Sequence, residues 1–116
     1  MNWKQIESIG GRANDAFINK FGRNVPAGSL LDITYRWMFD CDIHLKQFEL
    51  LQVGPAAIQA TFAPGEGVGE ARIRSALGHL QELIGLCLEH AVHVEIELVE
   101  AFPPSIGKRR PIRRAF

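Results

Sequence analysis

The stretch Asp42-Ile43-His44-Leu45-Lys46-Gln47-Phe48-Glu49-Leu50-Leu51-Gln52-Val53-Gly54-Pro55-Ala56-Ala57-Ile58-Gln59-Ala60-Thr61-Phe62-Ala63 sets the architecture. Ile43, Leu45, Gln47, Glu49 and Leu51 alternate with His44, Lys46, Phe48 and Leu50, a period of two that suits a strand with one mixed face; Phe48 to Leu51 reads as covered on both sides. Val53-Gly54-Pro55-Ala56 reverses the chain. Ala57 to Ala63 is a second strand with β-branched and aromatic residues on alternate positions, ended by Pro64-Gly65-Glu66-Gly67. The pair reads as a β-hairpin.

Outward from this hairpin the period changes. Val68 to Ala91 is a helix, because Ile73, Leu77, Leu80, Ile84, Cys87 and Ala91 recur at steps of three and four while Arg72, Arg74, Gln81 and Glu82 fall elsewhere. Gly78 and Gly85, each costing about 1 kcal/mol against Ala in a helix, predict close packing against a sheet. Val92 to Glu100 alternates aliphatic residues with His and Glu and predicts a half-buried strand with an acidic outer face, stopped by Pro103-Pro104. Upstream, Pro26 opens a helix over about 27–39 carrying Leu30, Leu31, Ile33, Thr34, Trp37 and Met38 at helical spacing. Before it, short apolar pieces around Lys20-Phe21-Gly22-Arg23-Asn24 predict a small hairpin. The fold class is α+β: a small, mostly antiparallel sheet with two helices on one face, preceded by a short β-hairpin and followed by an irregular basic tail.

With 116 residues, 47% hydrophobic and 22% charged, the chain suits one soluble domain that needs neither disulfide nor metal to hold a core. Within 1–116 the expected parts are a lead at 1–9, a hairpin region at 10–26, an α+β body at 27–102 and a tail at 103–116. No apolar run approaches the ~20 residues of a membrane span, and the opening lacks a signal-peptide pattern, so the expected location is cytoplasmic, with no membrane partner. Cys41 and Cys87 belong to no CxxC pair and read as reduced, partly buried thiols; Asp40 and Asp42 beside Cys41 would raise its pKa, which argues against a nucleophile.

The zero net charge hides an asymmetry. Lys108, Arg109, Arg110, Arg113 and Arg114 hold five of the 13 basic residues, and the rest of the chain sets eight bases against 13 acids, a balance of −5. The acidic strand beside the tail, and the lack of aromatic residues between its cations, argue against nucleic acid. His90 and His93 form an HxxH pair at the join of the long helix and the last strand, a transition that gives no assurance that both rings share a side, so no metal site is expected. Gly65-x-Gly67-x-Gly69 precedes a helix but has no following Lys-Ser/Thr, and Glu66 and Glu70 would repel an anion there; the glycines read as a strand-to-helix turn. Arg12, on a Gly-Gly turn before Asn14-Asp15, could grip a phosphate or ribose. Lys108, after Gly107 in the tail, could supply a point charge to a phosphate or carboxylate.

Gly10-Gly11-Arg12-Ala13-Asn14-Asp15-Ala16-Phe17-Ile18, Gly22-Arg23-Asn24-Val25-Pro26 and Ser105-Ile106-Gly107-Lys108-Arg109-Arg110 occur in an order that resembles the C-terminal lid domain of adenylate-forming acyl-CoA ligases, most closely the phenylacetate–CoA ligase branch. Gln47-Phe48-Glu49-Leu50-Leu51-Gln52, the long helix and the acidic strand fit the same order, so the resemblance spans about residues 8–114. It implies a lid that rotates on a large ATP- and acid-binding domain between adenylation and thioester formation. Arg12 would contact the nucleotide, Asn14 and Asp15 would form the hinge, and Lys108 would be the catalytic lysine that stabilises the pentavalent α-phosphate. The loop Phe21-Gly22-Arg23 would face the thiol acceptor. ATP, with Mg bound mainly by the large domain, and CoA are the implied small molecules.

The chain departs from that pattern at Asn14, where Asp or Lys is usual, and in Ala27 to Leu31, where the acid that often starts the helix is missing. The ATP- and acid-binding motifs of a large domain are not in this sequence, so the expected partner is such a domain in cis or in trans. The alternative is a free-standing, non-catalytic homodimeric interaction module, pairing through a sheet edge.

Overall fold

The computed structural model describes residues 15–102 and 111–116. Strands β1 (Phe17–Ile18) and β2 (Asn24–Val25) form an antiparallel hairpin, followed by α1 (Ala27–Asp40). Next come β3 (Leu45–Gly54), β4 (Ala57–Pro64), α2 (Glu70–Leu88), β5 (His93–Leu98) and β6 (Ile112–Arg114). The α+β class, the small hairpin and both helices are as the sequence predicts.

The main sheet runs β5-β4-β3-β6 and is mixed rather than mostly antiparallel. Only β3 and β4 pair antiparallel; β5 joins β4, and β6 joins β3, in parallel. The reason is topological: α2 carries the chain back along the sheet, so β5 enters in the direction of β4. A further correction concerns the tail, whose last part is a strand. Ile112 is fully buried, and the Leu50 N–H donates to Pro111 O at 2.7 Å, so residues 112–114 are held in the sheet rather than solvated.

Phe48, Leu50, Ile58, Ala60, Phe62 and Val94 line the sheet face that meets both helices. From α1, Leu30, Thr34 and Trp37 are buried at steps of four and three, and the Thr34 hydroxyl is satisfied by donating to Leu30 O at 2.8 Å. From α2, Ile73, Leu80, Ile84 and Leu88 are buried. Trp37 joins all three layers: its ring stacks on Phe62 with centroids 5.4 Å apart, and its indole N–H donates to Ala76 O of α2 at 2.8 Å.

The opposite sheet face, carrying Gln47, Glu49, Leu51, Gln59, Thr61, Glu95, Glu97 and Arg113, has no helix over it among the described residues. Among the described residues, Phe48 to Leu51 is therefore covered by a helix layer on one side only. A register shift between Leu45 and Gln47 inserts Lys46 as a bulge, which is why the inward set passes from Leu45 to Phe48, Leu50 and Gln52.

Two glycine expectations change. A Cβ on Gly78 would meet nothing within 4 Å, so that position is open rather than packed on the sheet. Gly85 does allow a close approach, but to the turn after α2: a Cβ there would lie 3.1 Å from His90 O.

Candidate functional site

The short hairpin reaches the body through directional polar contacts. Asn19, almost fully buried, accepts from the N–H groups of Phe21 (3.0 Å) and Arg23 (2.9 Å) through Oδ1, which shapes the loop as an Asx turn. Its Nδ2 donates to Leu88 O at 3.0 Å and so ties the loop to the last turn of α2. Gly22 completes the reversal at φ 82°, a conformation that favours glycine.

Beside it, the Lys20 N–H donates to His90 Nε2 at 3.1 Å, while His90 Nδ1 lies 3.0 Å from Ala91 O. These contacts fit the neutral tautomer protonated on Nδ1. Phe21 stays 66% exposed, edge-on to the His90 ring at 6.0 Å and with Lys20 Nζ 5.4 Å from its centroid. Arg23 pairs with Glu89 at 3.0 Å across solvent-exposed side chains, a contact that adds little stability. Phe21, Gly22 and Arg23 thus form a braced tip with one open aromatic ring beside the Lys20 ammonium.

At the base of the hairpin Asp15 meets strand β6. The Asp15 N–H donates to Ile112 O at 2.9 Å, and Asp15 Oδ2 accepts from the Arg114 N–H at 3.0 Å. The Arg114 guanidinium also donates to Ala16 O at 3.0 Å. Arg113 turns to the other face, where NH2 donates to Glu49 Oε1 at 3.2 Å and Nε lies 3.1 Å from Oε2, a charge contact without hydrogen-bond alignment. The segment preceding Asp15 and the segment preceding Pro111 therefore join the body at one margin. Arg12, Asn14 and Lys108 lie outside the described residues.

Gln52 holds the hairpin against the sheet. Its side chain is fully buried; Oε1 accepts the Ile18 N–H at 2.9 Å and Nε2 donates to Ile18 O at 2.8 Å. One side-chain amide thus takes the place of a neighbouring strand. Sequence reasoning missed Gln52, Asn19 and Asp15's partner Arg114. The available signals were a Gln in phase with Phe48 and Leu50, and an Asn three residues before a turn glycine.

The other motifs have structural explanations. His90 is engaged by Lys20 and Ala91, and His93 lies 3.4 Å from Glu95 on the surface; among the described residues no group of His, Cys, Asp or Glu is arranged to hold a metal ion. Gly65 is needed because a Cβ there would overlap the His44 ring, and Gly67 takes φ 79° in the turn into α2. Cys41 and Cys87 are free and half-buried; burial pushes both thiols above their ordinary range, with Asp40 adding to the effect at Cys41 and Arg72 opposing it. Among the described residues no helix is long and apolar enough to cross a membrane. No family model matches this chain, and no curated protein matches it; the family resemblance rests on the residues quoted for it.

Proposed function

We propose that this chain is the C-terminal lid of an ATP-dependent, carboxylate-activating ligase, acting with a large nucleotide-binding domain in cis or in trans. The observation that carries the reading is the junction of Asp15 with Ile112 and Arg114, since the segment bearing Arg12 and the C-terminal side of the segment bearing Lys108 join the body at that one margin. Two cationic side chains meant for a single nucleotide need such a shared origin. The braced tip at Phe21 and Arg23 lies at the other end of the same hairpin, which suits a lid that presents different margins in two half-reactions.

In the first half-reaction a carboxylate oxygen attacks the α-phosphorus of ATP and the bond to pyrophosphate breaks. The Lys108 ammonium offsets the charge that grows on the α-phosphate oxygens, and because it arrives only on closure it acts on the transition state more than on bound ATP. In the second, a thiolate attacks the acyl carbonyl and AMP leaves. Phe21, open and approached by the Lys20 ammonium, offers an aromatic face and positive charge to an anionic thiol carrier such as CoA.

The test begins with immunocapture of the native polypeptide and mass spectrometry of its full length and of anything bound at stoichiometric amounts. An ATP-binding large domain, in the same chain or in a partner, is the expected finding. In that assembly Lys108→Ala should abolish ATP–pyrophosphate exchange while leaving the fold intact. Wild-type exchange in the variant would overturn the catalytic role, and a native chain with no large domain would overturn the ligase reading.

A further inference from the structure

We propose that the outer edge of β5 takes up an extended, basic segment of a partner protein as a fifth strand of the sheet. The backbone groups are in place for it. His93 and Val99 donate their N–H groups toward β4, to Ala56 O at 2.8 Å and Phe62 O at 2.9 Å, so by the strand's alternation Val94, Ile96 and Leu98 point theirs away from the sheet. Gln81 Oε1 already accepts the outward Val94 N–H at 2.7 Å, as a neighbouring strand would. Beyond it the outward groups of Ile96 and Leu98 meet no described strand.

The two faces of this edge differ, and together they define the occupant. Toward α2, a shallow groove of about 610 Å³ runs beside the start of β5, lined by Gly78, Gln81, Glu82, Gly85, Leu86, Ala91 and Val92. Gly78 leaves it open and Leu86, 77% exposed, gives it an apolar wall. Toward the opposite face stand Glu95 and Glu97. His93 approaches Glu95 at 3.4 Å, whereas Glu97 has no cation within ion-pair distance among the described residues. An added strand projects alternate side chains to these two sides. A segment alternating apolar residues with Lys or Arg would fill the groove with one set and neutralise the carboxylates with the other.

The same carboxylates reject a second copy. Two β5 edges paired about a two-fold axis would set the Glu95 and Glu97 rows of both chains on one face, directly opposed. The edge is thus guarded against itself and open to a basic strand. This inference uses neither Arg12 nor Lys108 and stands or falls apart from the ligase reading.

The experiment titrates the isotopically labelled 116-residue chain with a heptapeptide alternating lysine and valine, with its glutamate–valine counterpart, and with a lysine–valine peptide carrying a central proline. The lysine–valine peptide should shift the Ile96 and Leu98 amides and slow their hydrogen exchange by at least about tenfold, with affinity falling as salt rises. Glu95→Lys combined with Glu97→Lys, both at exposed positions, should keep the spectrum of the fold and reverse the preference toward the glutamate peptide. Amides of Ile96 and Leu98 that stay unmoved at millimolar peptide, equal binding of all three peptides, or shifts confined to another surface would overturn the proposal. Concentration-dependent dimers that protect these two amides without peptide would overturn it in favour of a second copy.

Discussion

Replacing Gln52 by leucine keeps the volume of a fully buried side chain and removes its hydrogen bonds, so it isolates what the amide does. The Ile18 N–H and C=O lose partners at 2.9 and 2.8 Å, and both lie in a partly buried junction between β1 and β3. Each group left unpaired costs about 1–3 kcal/mol, and the gain from burying an apolar side chain offsets part of the sum, so Gln52→Leu should destabilise by roughly 2–4 kcal/mol. With a urea slope of roughly 1–3 kcal/mol per molar for a small domain, the midpoint should fall by roughly 1–2 M. Urea denaturation followed by tryptophan fluorescence reads this directly, since Trp37 sits in the core. Exchange of the Ile18 amide should accelerate more than that of Leu50. Gln59→Leu, one position along β4 from Gln52's partner Ile58 and on the opposite face, is the control and should move the midpoint little. A Gln52→Leu midpoint within about 0.3 M of wild type, with Ile18 exchange unchanged, would refute the idea that this amide holds the hairpin to the sheet.

Asn19→Ala removes the acceptor for Phe21 and Arg23 and the donor to Leu88 O, so it should cost about 2–3 kcal/mol and raise exchange at Phe21 and Arg23, as measured by denaturation and amide exchange. Gly65→Ala should destabilise by about 1 kcal/mol alone and much less in a His44→Ala background, because the three atoms nearest the new Cβ all belong to the His44 ring; a double-mutant cycle measures the coupling. Burial raises the Cys41 and Cys87 thiols in the folded chain, so iodoacetamide should reach half-maximal reaction at a higher pH than with a free thiol. By linkage, the folded state holds these protons more tightly: their stabilising contribution is whole below the ordinary thiol range and is lost as pH rises toward the raised folded value, which alkaline denaturation curves compared with a Cys41→Ala/Cys87→Ala variant would show.

Both helices were legible because Leu30, Trp37, Ile73, Leu80 and Ile84 repeat at spacings that only a helix places on one side. The β3–β4 hairpin was legible for the matching reason at period two. Its apparently mixed face traces to one inserted residue, Lys46, which shifts the phase of alternation in a way that no local pattern announces. Strand β6 was illegible because three residues carry only one apolar side chain, Ile112, within a run of arginines. Its strand state is imposed by β3, sixty residues earlier in the chain, rather than by its own composition. At the candidate site, the exposed Phe21, Gly22 and Arg23 were readable as a loop, but the groups that brace it, Asn19, Gln52 and His90, act through backbone partners remote in sequence, at Leu88, Ile18 and Lys20.

The nature of those braces bears on where a lid would turn. A hairpin of two-residue strands is not stable by itself, and this one contributes only Phe17 and Val25 to the buried core. Apolar burial is non-directional and by itself leaves orientation loosely set. Here orientation is set by hydrogen bonds from Asn19 to Leu88 O, from Gln52 to Ile18, and from Arg114 to Asp15 and Ala16, which approach the hairpin from its tip, its middle and its base. A rotation taken up inside residues 15–25 would have to break several of them together. Asp15, bonded through both its N–H and its carboxylate to β6, moves with the body. The resemblance assigns the hinge to Asn14 and Asp15; if the chain is such a lid, a pivot at Asp15 itself would have to break its bonds to β6, and a lid that keeps them would carry the hairpin, the sheet and β6 as one unit and swing Lys108's attachment point with them.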